Sequence, residues 1–99
     1  MAKNSVKKKN DLCRSNLSGC RIVLTDAVAA SDHRLEILAA VRSFVRFYTD
    51  NDPWGEHDFG FVEVGGERWF FKFDYYDANY EYFQEDGNRV LTIGHASEY

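Results

Sequence analysis

The spacing of apolar positions changes character along the chain. In SVKKKNDLCRSNL (residues 5–17), Val6, Leu12 or Cys13, and Leu17 fall on one side of a helix, which predicts a short N-terminal helix. CRIVL (residues 20–24) is a run of β-branched and apolar residues, the pattern of a short strand. Further on, Leu35, Leu38, Val41, Val45 and Tyr48 follow the helical period, and Ile37, Phe44 and Phe47 widen the stripe. Arg34, Arg42 and Arg46 fall on the opposite side. Ser31 or Asp32 can cap this segment, so the pattern predicts one long helix ending near Tyr48, before Asp52-Pro53.

The period then drops to two. DFGFVEV and ERWFFKFDYYD flank Gly65-Gly66, a two-residue turn able to take the positive φ angles of a tight hairpin. That turn sets a register in which Val64 faces Glu67, Glu63 faces Arg68, Val62 faces Trp69, Phe61 faces Phe70, Gly60 faces Phe71 and Phe59 faces Lys72. Val62, Val64, Trp69, Phe71 and Phe73 then share one face, and Phe59, Phe61 and Phe70 the other. DANYEYFQEDGN reads as an acidic, aromatic loop and RVLTIGH as the last strand. The expected fold is α+β: a three- to four-stranded, mostly antiparallel sheet with one long helix packed on a face and a short N-terminal helix. A chain of 99 residues fits a single domain, residues 1–99, with residues 1–10 as a flexible basic arm.

Charge is unevenly divided. Residues 1–14 carry five basic side chains against Asp11 alone, a balance of +4, and the remaining residues carry 15 acidic against 7 basic, a balance of −8. From Phe47 onward the count is 12 acidic to 3 basic, or −9. An acidic body disfavours direct phosphate binding, which would have to overcome like-charge repulsion. No apolar run is long enough for a membrane span, and the N-terminus has no apolar run that would read as a signal peptide, which points to the cytoplasm. Cys13 and Cys20 are then expected to be reduced, since their spacing is not that of a redox or zinc motif.

The densest chemistry lies in DNDPWGEHDFG (residues 50–60). An EF-hand reading fails, because Trp54 and Phe61 stand where side-chain ligands are needed. A transition-metal site on Glu56, His57 and Asp58 is opposed by strand geometry, which sends adjacent side chains to opposite faces. No metal or other cofactor is expected. The reading that accounts for most residues is a structural turn of Asn51, Asp52, Pro53, Gly55, His57, Asp58 and Gly60, with Asp52-Pro53-Trp54-Gly55 in type I form. No nucleophile elbow, phosphate loop or His-Glu-x-x-His motif is present, so no catalytic residue is assigned. Tyrosines among acids make a candidate partner-binding surface: Asp74, Tyr75, Tyr76, Asp77, Tyr80, Glu81, Tyr82, Glu85 and Asp86.

Four segments together, NDLCR (10–14), NDPWGEHDFG (51–60), KFDYYD (72–77) and RVLTI with the terminal ASEY, carry a resemblance. The chain resembles an uncharacterised family of small bacterial proteins, the domain of unknown function DUF3768. It departs from that pattern at Phe71 and Phe73, in place of tryptophan and isoleucine, and at Gly94-His95, in place of two larger apolar residues; the segment from Ala78 to Asn88 is shortened. The resemblance implies a small domain in a bacterial, plasmid or phage context and gives no activity.

The function expected from size, charge and exposed aromatics is that of a non-enzymatic interaction protein from a mobile element or phage. It would inhibit a host defence nucleoprotein complex, of the anti-CRISPR or antirestriction type, by presenting an acidic aromatic surface to a protein or ribonucleoprotein partner with a basic surface. One alternative is a small metal-dependent hydrolase built on Glu56-His57-Asp58. The other is a regulatory protein that contacts nucleic acid through Lys7, Lys8 and Lys9.

Overall fold

The computed structural model describes residues 2–47, 55–84 and 87–99, with side chains from residue 6 onward. The chain runs α1 (Ala2–Asn16), β1 (Arg21–Leu24), α2 (Asp26–Ala29), α3 (Arg34–Arg42), β2 (Phe59–Val64), β3 (Glu67–Tyr76) and β4 (Asn88–His95), and closes with a 3₁₀ turn, Ala96–Glu98. The four strands form one sheet in the order β1-β4-β3-β2.

The fold is α+β as expected, with two corrections. The sheet is mixed: β2–β3 and β3–β4 are antiparallel, but β1 runs parallel to β4, with Arg21 beside Val90 and Leu24 beside Ile93. β1 and β4 are far apart in sequence, so no turn between them announces their direction. The single long helix is absent as well. It is replaced by α2, of four residues, and α3, of nine, while α1 is the longest helix at 15 residues.

α3 stops at Arg42 because the next residues are poor helix formers. Ser43 turns its hydroxyl back onto the Ala39 carbonyl at 2.9 Å, and Phe44, Val45 and Phe47 are aromatic or β-branched. The buried helix positions are Ile37 and Val41, continued by Phe44 beyond the helix, while Leu35 and Val45 are 75% and 81% exposed. Of the expected stripe, Ile37, Leu38, Val41, Phe44 and Phe47 reach the core, and Leu35 and Val45 do not.

The hairpin register is the one set by Gly65-Gly66, pair for pair from Val64↔Glu67 to Phe59↔Lys72. Both glycines have positive φ, 64° and 78°, as a type I′ turn requires. Val62, Trp69, Phe71, Phe73 and Tyr75 join Leu91 and Ile93 on the buried face, under α1 and α3. Gly60 lets the Phe71 ring lie directly on the backbone: a Cβ there would come within 2.6 Å of Phe71 Cε2 and 2.9 Å of Phe44 Cζ. Phe70 lies on the opposite face against Gly94, which occupies a position where a larger residue would strike the ring.

Tyr99 crosses that outer face and contacts Phe59, Phe61 and Phe70, with ring centroids 4.9, 6.3 and 5.2 Å away. The 3₁₀ turn before it is capped. The Glu98 carboxylate accepts from the His95 N–H at 2.6 Å and from Thr25 Oγ1 at 2.7 Å, and the His95 ring accepts from the Ser97 N–H. These bonds, the one from Thr25 foremost, hold Glu98 below the usual carboxylate range.

The two cysteines are not free thiols. Cys13 and Cys20 form a disulfide between the last turn of α1 and the start of β1. The positive φ angles of Leu17 and Gly19, 51° and 80°, turn the chain back and bring the two Cα atoms to 6.0 Å, within disulfide range. This overturns the expectation of reduced cysteines, because a helix followed by a tight reversal can join residues whose spacing matches no motif. Among the described residues no helix is long and apolar enough to cross a membrane.

Candidate functional site

Helix α1, strands β3 and β4 and the segment before β2 meet around Asn10, which is fully buried. Its Oδ1 accepts from Arg89 Nε of β4 at 2.6 Å. Its Nδ2 donates to the Glu56 backbone carbonyl at 3.0 Å and to the Tyr75 hydroxyl at 2.9 Å. The Tyr75 hydroxyl in turn donates to Glu56 Oε1 at 3.0 Å, and the Arg89 guanidinium lies 5.1 Å from the Tyr75 ring centre. One buried amide thus ties α1, β3, β4 and the chain before β2 together. Burial pushes the Tyr75 phenol well above its usual range; the bond from Asn10 opposes this, and the carboxylates of Asp58 and Glu56 add to it.

One residue along α1, Asp11 reaches His57, with its two oxygens 2.9 and 3.2 Å from Nδ1. The imidazole stacks on Phe47, 3.9 Å between centroids and 4° from parallel. His57 has φ 56°, a left-handed conformation that a non-glycine residue holds only when its surroundings enforce it. One turn further on, Arg14 donates to Asp11 at 3.1 Å and caps α3 by donating to the Val41 and Arg42 carbonyls at 3.0 and 3.1 Å. Arg42 returns the contact, donating from Nε to the Ser15 carbonyl at 2.9 Å. The two helix ends cap each other.

The candidate partner-binding residues are dispersed by the fold. Tyr75 points into the core and Tyr76 to the other face. Asp74 pairs with Lys72 at 3.2 Å. Asp77 closes the turn, its Oδ1 accepting from the N–H groups of Asn79 and Glu81. Tyr80 has φ 59° and lies under Arg21, 4.1 Å from the guanidinium to the ring centre. Glu81 and Tyr82 are exposed; Glu85 and Asp86 lie outside the described residues.

Of the turn residues, Asn51, Asp52 and Pro53 also lie outside the described residues, so the type I turn assigned to them is not described. Gly55 has φ 67°, and the Asp58 carbonyl accepts from Phe73 N–H at 2.8 Å, one residue before β2 begins. Among the described residues no three His, Cys, Asp or Glu side chains are grouped to hold a metal.

Past the start of β2, strand β3 exchanges its neighbour. Tyr82–Gln84 comes alongside instead, with the Gln84 N–H donating to the Tyr75 carbonyl and Phe83 bridging Tyr76. Between Asp58 and Phe83 this leaves a groove of about 490 Å³ lined by Glu56, Asp58, Phe73, Asp74, Tyr75, Tyr76 and Phe83. Three of the seven lining residues are carboxylates and four are aromatic.

Reading the residues one by one assigned no role to Asn10, Asp11, Arg14, Arg89 or Phe83. A signal was available for Asn10 and Arg14. Asn10 and Arg14 sit four apart, on the same side of α1 as Val6 and Cys13, and polar residues on a buried helix face need partners there.

A family model described as a protein of unknown function, DUF3768, matches residues 24–98, and the chain belongs to that family. No curated protein and no solved structure is significantly similar to the chain. Asn10, Asp11 and Arg14 lie before the matched segment, while their partners Glu56, His57, Tyr75 and Arg89 lie inside it.

Proposed function

We propose that this chain is a non-enzymatic interaction protein. It binds a macromolecule with a basic surface along the acidic, aromatic groove between Asp58 and Phe83 and the loop beyond it. The observation that carries the reading is the exposure of Tyr82 and Phe83, 71% and 73%, beside a groove lined by Glu56, Asp58 and Asp74. Large aromatics held in water at the edge of a sheet gain most when a partner covers them. The carboxylates draw a cationic side chain into the groove, and the Phe83 and Tyr76 rings offer faces for a guanidinium. In its fuller form the proposal makes the partner a host defence nucleoprotein complex of the anti-CRISPR or antirestriction type, whose basic channel the acidic body occupies.

The test uses an immobilised arginine-rich peptide as probe. Binding should weaken as salt rises. Asp74→Lys with Glu81→Lys should slow association by about tenfold, and Tyr82→Ala with Phe83→Ala should speed dissociation. Binding that is insensitive to salt and to both pairs of changes refutes the reading.

A second reading draws on His57. A carboxylate on Nδ1, here Asp11, is the arrangement that orients an imidazole as a general base. It predicts hydrolysis of a simple activated ester or phosphodiester that is lost in His57→Ala while the fold is kept. If the purified chain turns over neither substrate, the pair is a tether between α1 and the segment before β2.

A further inference from the structure

The edge of the sheet at β2 has a pattern that matches itself. The Phe73 N–H donates to the Asp58 carbonyl, so 58 and 73 form a hydrogen-bonded pair of the antiparallel ladder. Pairs of this kind alternate along the strands, so Gly60/Phe71, Val62/Trp69 and Val64/Glu67 share it. The main-chain N–H and C=O groups of Phe59, Phe61 and Glu63 must then point away from β3. Among the described residues no group bonds to them.

Among the described residues this edge lacks the usual protection. FGFVEV contains no proline or lysine and its pairing with β3 shows no bulge, leaving Glu63 as its one charge. Apolar side chains stand exposed beside it. Phe61 is 38% exposed and Val45 is 81% exposed, and both line a groove of about 740 Å³ between the edge and the segment after α3.

We infer that β2 pairs antiparallel with β2 of a second copy about a two-fold axis through Phe61, giving a continuous eight-stranded sheet. An axis through Phe61 sets an apolar ring against its own copy and places the strand's one charge, Glu63, opposite Phe59, so self-pairing meets no like-charge repulsion, which favours a second copy. Phe61 faces Phe61, and Phe59 faces Glu63 in both directions, so all six outward N–H and C=O pairs find partners in one register. A shift by one residue would set outward groups against inward ones, and inner-face side chains against outer-face ones. In this register Gly60 lies opposite Val62 of the second copy on the helix side, over the Phe71 ring that already covers Gly60. The Phe59, Phe61, Phe70 and Tyr99 clusters of the two copies join on the other side, and each Arg68 stays beside its own Glu63 at 3.7 Å and over its own Phe61 at 5.3 Å. Val45, next to the axis, is covered.

Cysteine cross-linking of the full chain reads the register directly. Facing residues of a hydrogen-bonded pair have Cα atoms about 5.5 Å apart, within disulfide reach. Phe61→Cys should therefore cross-link to itself under mild oxidation. Phe59→Cys alone and Glu63→Cys alone should not, because four residues of offset place like positions roughly 13 Å apart along the strand. An equimolar mixture of Phe59→Cys and Glu63→Cys should cross-link as the mixed pair. Sedimentation equilibrium of the unmodified chain at about 100 μM should give twice the 11.5 kDa monomer mass. Phe61→Lys should weaken association at least about tenfold, with circular dichroism checking that the variant keeps its fold. A chain that stays monomeric, or one that cross-links at 59 alone but not at 61, overturns the proposal.

Discussion

Replacing Asn10 by alanine sets two effects of opposite sign against each other. Asn10 lies inside α1, and alanine is the better helix former by roughly 0.5 kcal/mol. Against that stand three hydrogen bonds from a fully buried side chain. The bond from Arg89 involves a charged donor that is 6% exposed, and its loss costs about 1.5–3 kcal/mol. The Glu56 carbonyl and the Tyr75 hydroxyl each lose a partner, at about 1 kcal/mol apiece. The net cost is on the order of 4 kcal/mol, a large share of the roughly 5–15 kcal/mol that holds a domain of this size together. With a urea slope of about 1–2 kcal/mol/M, the unfolding midpoint should fall by roughly 2–4 M. The fluorescence of buried Trp69 reports the transition. Leu12→Ala, at a position 62% exposed on the same helix, is the control and should shift the midpoint little. If Asn10→Ala unfolds within about 0.5 M of the unmodified chain, the amide is not the tie between α1 and the sheet.

Gly60→Ala places a methyl group 2.6 Å from the fully buried Phe71 ring, so overpacking of about 2 kcal/mol should lower the melting temperature by roughly 10 °C; an unchanged melting temperature would mean that the ring can move aside. Glu98 has its folded-state pKa depressed, so its contribution to stability is complete above the usual carboxylate value of 4.5 and is lost as pH falls through the folded value. Carboxyl chemical shifts should show Glu98 titrating below 4.5, and Thr25→Ala should move it up; titration at the ordinary value in the unmodified chain would contradict the cap. The chain purified without reductant should weigh two hydrogens less than its sequence, and Cys13→Ser should cost about 2 kcal/mol for a crosslink of sequence separation 7, whereas two titratable thiols in the folded chain would refute the bridge.

What could be read in advance follows the range of the interaction. The β2–β3 hairpin was legible pair by pair, because Gly65-Gly66 fixes the turn and the period-two pattern fixes the faces over a dozen contiguous residues. The helix after Ser31 was misread where local propensity and periodicity disagreed. Phe44 and Phe47 do reach the core, but from a non-helical segment that keeps a spacing of three. The parallel β1–β4 pairing depends on how distant segments return to one another, which no window of residues encodes, whereas the Cys13–Cys20 bridge is local and follows from the reversal at Leu17 and Gly19. The candidate surface was only partly legible. Tyrosines and acids cluster in sequence, but the strand alternation that puts Asp74 and Tyr76 on one side sends Tyr75 into the core.

The same alternation explains why the polar residues around Asn10 belong to folding and to the surface at once. Tyr75 cannot be buried with its hydroxyl unpaired, so the fold supplies Asn10 from one side and Glu56 from the other. Glu56, anchored in this way, stands at the head of the groove that Asp58, Asp74 and Phe83 continue. Arg89, bonded to the far side of Asn10, brings a positive charge to the same network and donates from Nη1 to the Gly87 carbonyl, at the end of the aromatic loop. Glu56, at the head of the groove, and Gly87, beyond Phe83, are therefore both tied to one side chain of α1, Gly87 by way of Arg89. The physical unit that presents the groove includes α1, although the family match begins at residue 24, after that helix and the bridge that fastens it.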